Sequence, residues 1–312
     1  MPTFNKATIV PLEWTHRDLW EMERPFELAP DLSVQSVKGT LSSTHFNLFK
    51  DFLSAKERES LPSVTVAIVH RFYSEEHVGR KESESKALCY RVFLALRLIK
   101  PTRSRYANIQ YKVMESGEID VFSFTHPETH PVNSPDAEAI NRIDERDLVE
   151  TSRILPAFMA AVASDSPEYL RRAIKYFDNA YASIPYPEIQ FLTWVMGIES
   201  AVADQMKAPR HRSQLIDQVF RFVDPSAQIY SESPLREFLE LPSLTVADVL
   251  PDVFRLRSTL AHGGWFPNWR PDVTRPTLSN NTLSYAEMLL EAAPFILRKL
   301  IIARLLHDDK RR

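Results

Sequence analysis

Histidine and arginine on one short helical stretch can work on a phosphate without a metal. Residues 253–264 (VFRLRSTLAHGG) carry that combination in Arg255, Arg257, Ser258 and His262. An imidazole titrates near neutral pH and can serve as base or acid. A guanidinium can hold a phosphate through two parallel hydrogen bonds. The spacing alone has little weight, because Arg71 and His77 repeat it where a strand runs into a polar loop. The helical setting is what singles out 253–264.

A helix turning about 100° per residue sorts these side chains. Val253, Phe254, Leu256, Leu260 and Ala261 share one apolar stripe, and Arg257 falls inside it. Arg255 and His262 fall together on the opposite face. In the stretch 191–206, Glu199 falls among Leu192, Val195, Ile198, Val202 and Met206. A charge on an apolar face is rarely left unpaired. The pattern therefore predicts a buried Arg257–Glu199 pair within salt-bridge distance. Arg257 and Arg255 both remain candidates to work with His262. Arg257 could do so if His262 lies past the last regular turn, where helical geometry no longer sets its direction. A purely structural alternative stands beside both: His262 as a cation at a helix C-terminus, and Arg257 as half of a core ion pair.

The segment 254–263 (FRLRSTLAHG) and the Glu-bearing stretch 191–202 (FLTWVMGIESAV) resemble the signature of HEPN domains. Within that superfamily they are most similar to the ApeA-like branch. The resemblance covers roughly residues 150–312. It implies a helical bundle that dimerises and acts as a metal-independent endoribonuclease of a bacterial anti-phage defence or toxin system. RNA would be cut by attack of its own 2′-hydroxyl, at a composite site where two copies face each other. The resemblance puts the catalytic pair at Arg257 and His262, with Arg255 second. Ser258 is the polar residue after the arginine, where members more often carry Asn, Asp or His. Glu199 would support the site. No metal and no cofactor are implied. Some members carry a modifiable tyrosine two residues after the histidine; here that position is Gly264. The alternative function is a non-catalytic HEPN-like scaffold that binds RNA, a nucleotide or a protein partner.

The loop that follows, 263–270 (GGWFPNWR), sets Trp265 and Trp269 beside Arg270. Aromatics next to arginines can stack unpaired bases of RNA. They can also pin a Pro-containing loop onto a bundle, and the general burial of large aromatics favours that packing role.

Composition limits the alternatives. Six glycines in 312 residues leave no GxGxxG fingerprint, no GxxxxGK[ST] loop and no GxSxG elbow. A formal net charge of −3 means that any nucleic-acid contact must come from a local cluster. The single cysteine, Cys89, can form neither an internal disulfide nor a zinc site alone. His126, Glu128 and His130 lack a convincing third ligand, so no metal is expected. The first residues do not read as a secretion signal, and no run is apolar enough for a membrane span. A cytoplasmic protein is the expectation.

The elements that must position these groups read as an α+β chain. Residues 1–135 read as a mixed α/β domain that senses a trigger or binds a partner. It contains a strand over 64–73, a helix over 85–99 stopped by Pro101, and a hairpin of 108–114 and 119–124 around Gly117. The stretch 125–136 (THPETHPVNSPD) reads as a linker. Residues 136–312 read as an all-α bundle, with helices expected over 137–163, 167–182, 185–206, 214–223, 251–262 and 284–307. Ser284 and Glu287 form a capping-box pattern at the start of the last one.

Overall fold

In the computed structural model the described residues are 5–12, 24–37, 66–75, 79–101, 108–115, 119–125, 143–163, 168–181, 186–203, 212–267, 269–277 and 281–309. His77, Gly117, Met206 and residues 126–136 of the expected linker, with His126, Glu128 and His130, lie outside them. The chain is mixed α+β and divides into two compact units. The first comprises Met1–Arg97, Thr102–Thr129 and Arg142–Ser152. The second comprises Leu98–Pro101, His130–Asn141 and Arg153–Arg312.

The first unit is built on a six-stranded sheet. Its strands are β1 (Lys6–Leu12), β2 (Phe26–Ala29), β3 (Leu32–Ser36), β4 (Val66–Phe72), β5 (Asn108–Val113) and β6 (Ile119–Thr125). They lie in the order β2-β3-β4-β1-β5-β6, every neighbouring pair antiparallel. Alternation along the strands gives the sheet one apolar face of Ala7, Ile9, Val37, Ala67, Val69, Ile109 and Tyr111. The register sets Thr8 opposite both His70 and Gln110, so the other face is polar at its centre. Helix α1 (Arg80–Ile99) answers that polarity with Glu82 and Ser85. Lys6 and Glu82 form a buried ion pair. Gln110 Nε2 donates to Thr8 Oγ1 and to the Glu82 carbonyl, both at 2.9 Å. Ser85 Oγ lies 2.6 Å from Thr8 Oγ1 and 2.8 Å from His70 Nδ1. Burial lowers the pKa of His70, and Asp31 offsets this in part. Cys89 is buried further along α1, which pushes its thiol up to about 12.

The second unit is mainly helical. Its helices are α2 (Glu145–Val162, with the residues to Ser152 in the first unit), α3 (Glu168–Tyr181), α4 (Pro187–Val202), α5 (Arg212–Phe220), α6 (Val246–Ala261) and α7 (Tyr285–Asp309). A 3-10 turn covers Pro234–Glu237. The expectation of an all-α unit needs correction. The connection 263–281 folds back into a hairpin of β7 (Thr274–Pro276) and β8 (Thr282–Ser284). Of the helix expected over 137–163, residues 137–142 lie outside the described residues; α2 starts at Glu145, where Asp147 N–H donates to Asp144 Oδ1 at 2.9 Å and Asp144 N–H to Asp147 Oδ2 at 3.1 Å. The last helix starts where the capping box places it: Glu287 Oε2 accepts Ser284 N–H at 2.7 Å, and Ser284 Oγ accepts Glu287 N–H at 3.4 Å.

Three features hold the bundle together. Phe177, Tyr181 and Trp194 meet edge to face, at 5.1 and 5.5 Å between successive centroids. At Gly197 a Cβ would lie 2.6 Å from the Leu297 side chain, so this glycine lets α4 approach α7 closely. Tyr285 joins α7 to α6 through its hydroxyl, 3.0 Å from Asp252 Oδ2. Burial and the Asp252 charge push that phenol up to about 12. No helix among the described residues is long and apolar enough to cross a membrane.

Candidate functional site

Helix α6 carries the arginines and the histidine. It begins at Val246, five residues before the expected start at Pro251, because Thr245 and Asp248 form a capping box. Thr245 N–H donates to Asp248 Oδ2 at 2.8 Å, and Asp248 N–H to Thr245 Oγ1 at 3.2 Å. The helix then runs unbroken through Ala261, with His262 as its C-cap.

His262, Gly263 and Gly264 form the stop itself. Gly263 has φ +78, the left-handed region, and its N–H donates to the Leu260 carbonyl at 3.0 Å. Gly264 N–H donates to the Thr259 carbonyl at 2.9 Å. These two bonds make a Schellman cap. A Cβ on Gly264 would lie 2.6 Å from Thr259 Cγ2 and 2.9 Å from its carbonyl oxygen. The helix end thus accounts for both glycines without reference to chemistry, and it explains why no side chain stands at 264.

His262 leaves the helical region, with φ −98 and ψ 16, so it lies just past the last regular turn and only its spacing along the helix is set. Arg255 and His262 are two turns apart, and both are exposed. Among the described residues the His262 imidazole has no hydrogen-bond or ion-pair partner, and neither has the exposed Ser258 side chain.

Arg257 and Glu199 are brought together in a two-point pair: Nε to Oε1 at 3.3 Å and Nη2 to Oε2 at 3.4 Å. The expected burial is not observed, since the side chains are 40% and 29% exposed. The apolar stripe ends too soon to cover them. Val253, Phe254 and Leu256 are buried, but Leu260 is only half-buried and Ala261 is exposed. The last turn of α6 projects beyond its cover.

The loop after α6 splits its two tryptophans between the two expected roles. Trp269 packs: it is half-buried, and the Arg255 guanidinium lies over its ring at 4.1 Å. Trp265 does not pack, being 85% exposed, which overturns the packing role favoured for it. Arg270 lies over the Tyr285 ring at 4.7 Å and donates to its hydroxyl at 3.4 Å. It does so from φ 48, a strained backbone for a residue with a side chain.

A second polar cluster lies in the same unit, away from α6's end. Arg275 donates from Nη2 and Nε to the two oxygens of Glu291 at 2.6 and 3.0 Å, and Tyr230 donates to Glu291 at 2.6 Å. Arg298 donates to Glu232 at 2.6 Å, and Lys299 also pairs with Glu232. Burial raises the Glu232 carboxyl, but the Arg298 and Lys299 charges outweigh it and hold the pKa at about 2. Tyr181, Tyr230, Glu232, Glu291, Phe295 and Arg298 line a cavity of about 30 Å³ there, room for about two waters. The charges at 291, 298 and 299 interrupt the apolar run of the last helix, the one sign of this cluster in the sequence. No group of three or more metal-ligating side chains occurs among the described residues.

No protein family, no curated protein and no solved structure matches the chain.

Proposed function

We propose that the chain is a metal-independent endoribonuclease. Its second unit acts as a HEPN-like helical domain, and His262 is the general base or acid at the end of α6. One observation carries this reading. His262 and Arg255 stand exposed with no acidic partner among the described residues, at the end of a helix that the fold otherwise secures. The imidazole takes the proton of the RNA 2′-hydroxyl or returns one to the leaving oxygen, and an arginine of α6 neutralises phosphate charge. Arg257 and Glu199 support the site by tying α6 to α4. One chain supplies one such histidine, so two copies facing each other complete the acid–base pair. Tyr186, Ile189 and Met196, exposed along α4, support association into a homodimer. The first unit receives the trigger, a ligand or a protein. The resemblance supports a cytoplasmic role in bacterial defence or a toxin system, with no cofactor.

One set of observations favours the non-catalytic scaffold as a second reading. The Schellman cap and the Arg257–Glu199 pair give structural work to three residues of the motif. Cleavage of RNA by the purified chain in EDTA, beside His262→Ala, Arg255→Ala and Arg257→Ala, separates the two. The enzyme requires that His262→Ala abolish cleavage while its circular dichroism is unchanged. Absence of cleavage by the wild-type protein on varied RNAs sinks the enzyme and leaves the scaffold.

A further inference from the structure

The two arginines of α6 differ in what they are free to do. Arg257 turns its Nε and Nη2 edge to Glu199. The Arg255 guanidinium has no carboxylate partner among the described residues, and it lies over the Trp269 ring at 4.1 Å. Stacking fixes the plane of a guanidinium and leaves its N–H edge open, the arrangement that holds a phosphate with least loss of side-chain freedom.

The loop that bears Trp265 is fixed at both ends. The Gly263–Gly264 cap sets its start, and Trp269 under Arg255 and Arg270 over Tyr285 set its end. Arg270 adopts its strained φ to make the second contact. Between these points the Trp265 indole is held out into solvent. A ring presented in this way can stack on a base only if that base has a free face, which a duplex does not offer.

We propose that Arg255, Trp269 and Trp265 form a grip for single-stranded RNA next to His262. Arg255 takes a backbone phosphate, Trp269 positions Arg255, and Trp265 stacks on an unpaired base. Arg255 and His262 lie about 10 Å apart along the helix, so the gripped phosphate is a neighbour of the one His262 works on. Arg257 does not touch the substrate. This grip rests on the ribonuclease reading of the same helix end, but it is tested by binding rather than by cleavage.

The test is fluorescence anisotropy of the full chain with a short labelled single-stranded RNA blocked by 2′-O-methyl groups, and with the same strand in a duplex. KCl is varied and EDTA is present throughout. Arg255→Gln should weaken single-strand binding about tenfold and lower the salt slope by about one phosphate. Trp269→Ala should do the same without removing a charge. Trp265→Ala should weaken binding about tenfold and erase the preference for the single strand over the duplex. Arg172→Gln, which removes an exposed charge paired with Glu168 on α3, should change neither. Unchanged affinity and salt slope in Arg255→Gln overturn the grip, and the ribonuclease reading survives if His262→Ala still stops cleavage. Loss of binding in Arg255→Gln, with no cleavage by the wild-type protein, keeps the grip and discards the ribonuclease. Equal weakening by Arg172→Gln and Arg255→Gln also overturns it, because binding would then follow net charge alone.

Discussion

Glu291→Gln tests how the second unit handles a buried charge. The Glu291 carboxylate accepts two bonds from Arg275 and one from Tyr230, and the Arg275 and Glu291 side chains are 1% and 5% exposed. Glutamine keeps the shape and removes the charge, leaving the guanidinium buried beside a neutral amide. Breaking a buried pair from one side costs about 3–5 kcal/mol. In a unit of this size that lowers Tm by about 6–20 °C. Glu199→Gln breaks a pair of the same chemistry at 40% and 29% exposure with contacts of 3.3 and 3.4 Å. Water screens that pair, and its loss costs at most about 1 kcal/mol. Thermal melts followed by circular dichroism, with urea unfolding as a check, compare the two variants directly. The double variant Arg275→Met/Glu291→Met should recover most of the loss, since apolar replacement of a whole buried pair is near neutral. The reasoning is refuted if Glu291→Gln costs no more than Glu199→Gln, or if the double variant is as unstable as the single.

Four further outcomes follow from local geometry and titration. Gly263→Ala meets no neighbouring atom within 4 Å but keeps φ +78, so it should cost about 1 kcal/mol of stability in urea unfolding. Gly264→Ala should cost more, because its Cβ presses on the Thr259 carbonyl, and any ribonuclease activity should fall with it as His262 shifts. Glu232 has a folded pKa of about 2 against an ordinary 4.5, so its contribution is present above pH 4.5 and is lost as the pH falls toward 2. Glu232→Gln should flatten the second unit's acid unfolding across that window. His70 has its pKa lowered from 6.5, so the unfolded chain binds its proton more readily. The stability it contributes is present above pH 6.5 and is lost as the pH drops below that value; urea titrations of His70→Gln should show a weaker dependence there.

Periodicity and punctuation made parts of both units legible. Strand β4, the β5–β6 hairpin and the long helices carry a period of 2 or 3.6, and Ser284 with Glu287 announced α7. Strand β1 did not stand out, because its sheet face is polar: Lys6 and Thr8 answer Glu82, Ser85 and Gln110 rather than an apolar layer. Pro251 looks like a first-turn proline and so hides the start of α6, whose cap is carried by Thr245 and Asp248, six and three residues earlier. The β7–β8 hairpin has three-residue strands, too short for an alternating pattern to register. At the site, helical geometry found the Arg257–Glu199 pair from the residues alone. It missed the exposure of that pair, because exposure depends on where the covering helices stop, and no single helix records that.

The fold separates the residues of the motif into those it needs and those it does not. Gly263 and Gly264 stop α6, and Arg257 with Glu199 ties α6 to α4, so these four would be retained in a protein with no chemistry at this helix end. His262 serves the cap only through its backbone. Among the described residues its imidazole makes no hydrogen bond or ion pair, although a histidine at a helix C-terminus would gain from a nearby carbonyl or acid. The Trp265 indole is placed in water, where it costs solubility and adds no packing. Arg255 lies over the Trp269 ring with no counter-charge among the described residues. Together the three offer an imidazole, a guanidinium beside an aromatic ring and a free aromatic face. These open groups are the ones the proposed grip uses: a cation for a backbone phosphate and a free aromatic face for an unpaired base.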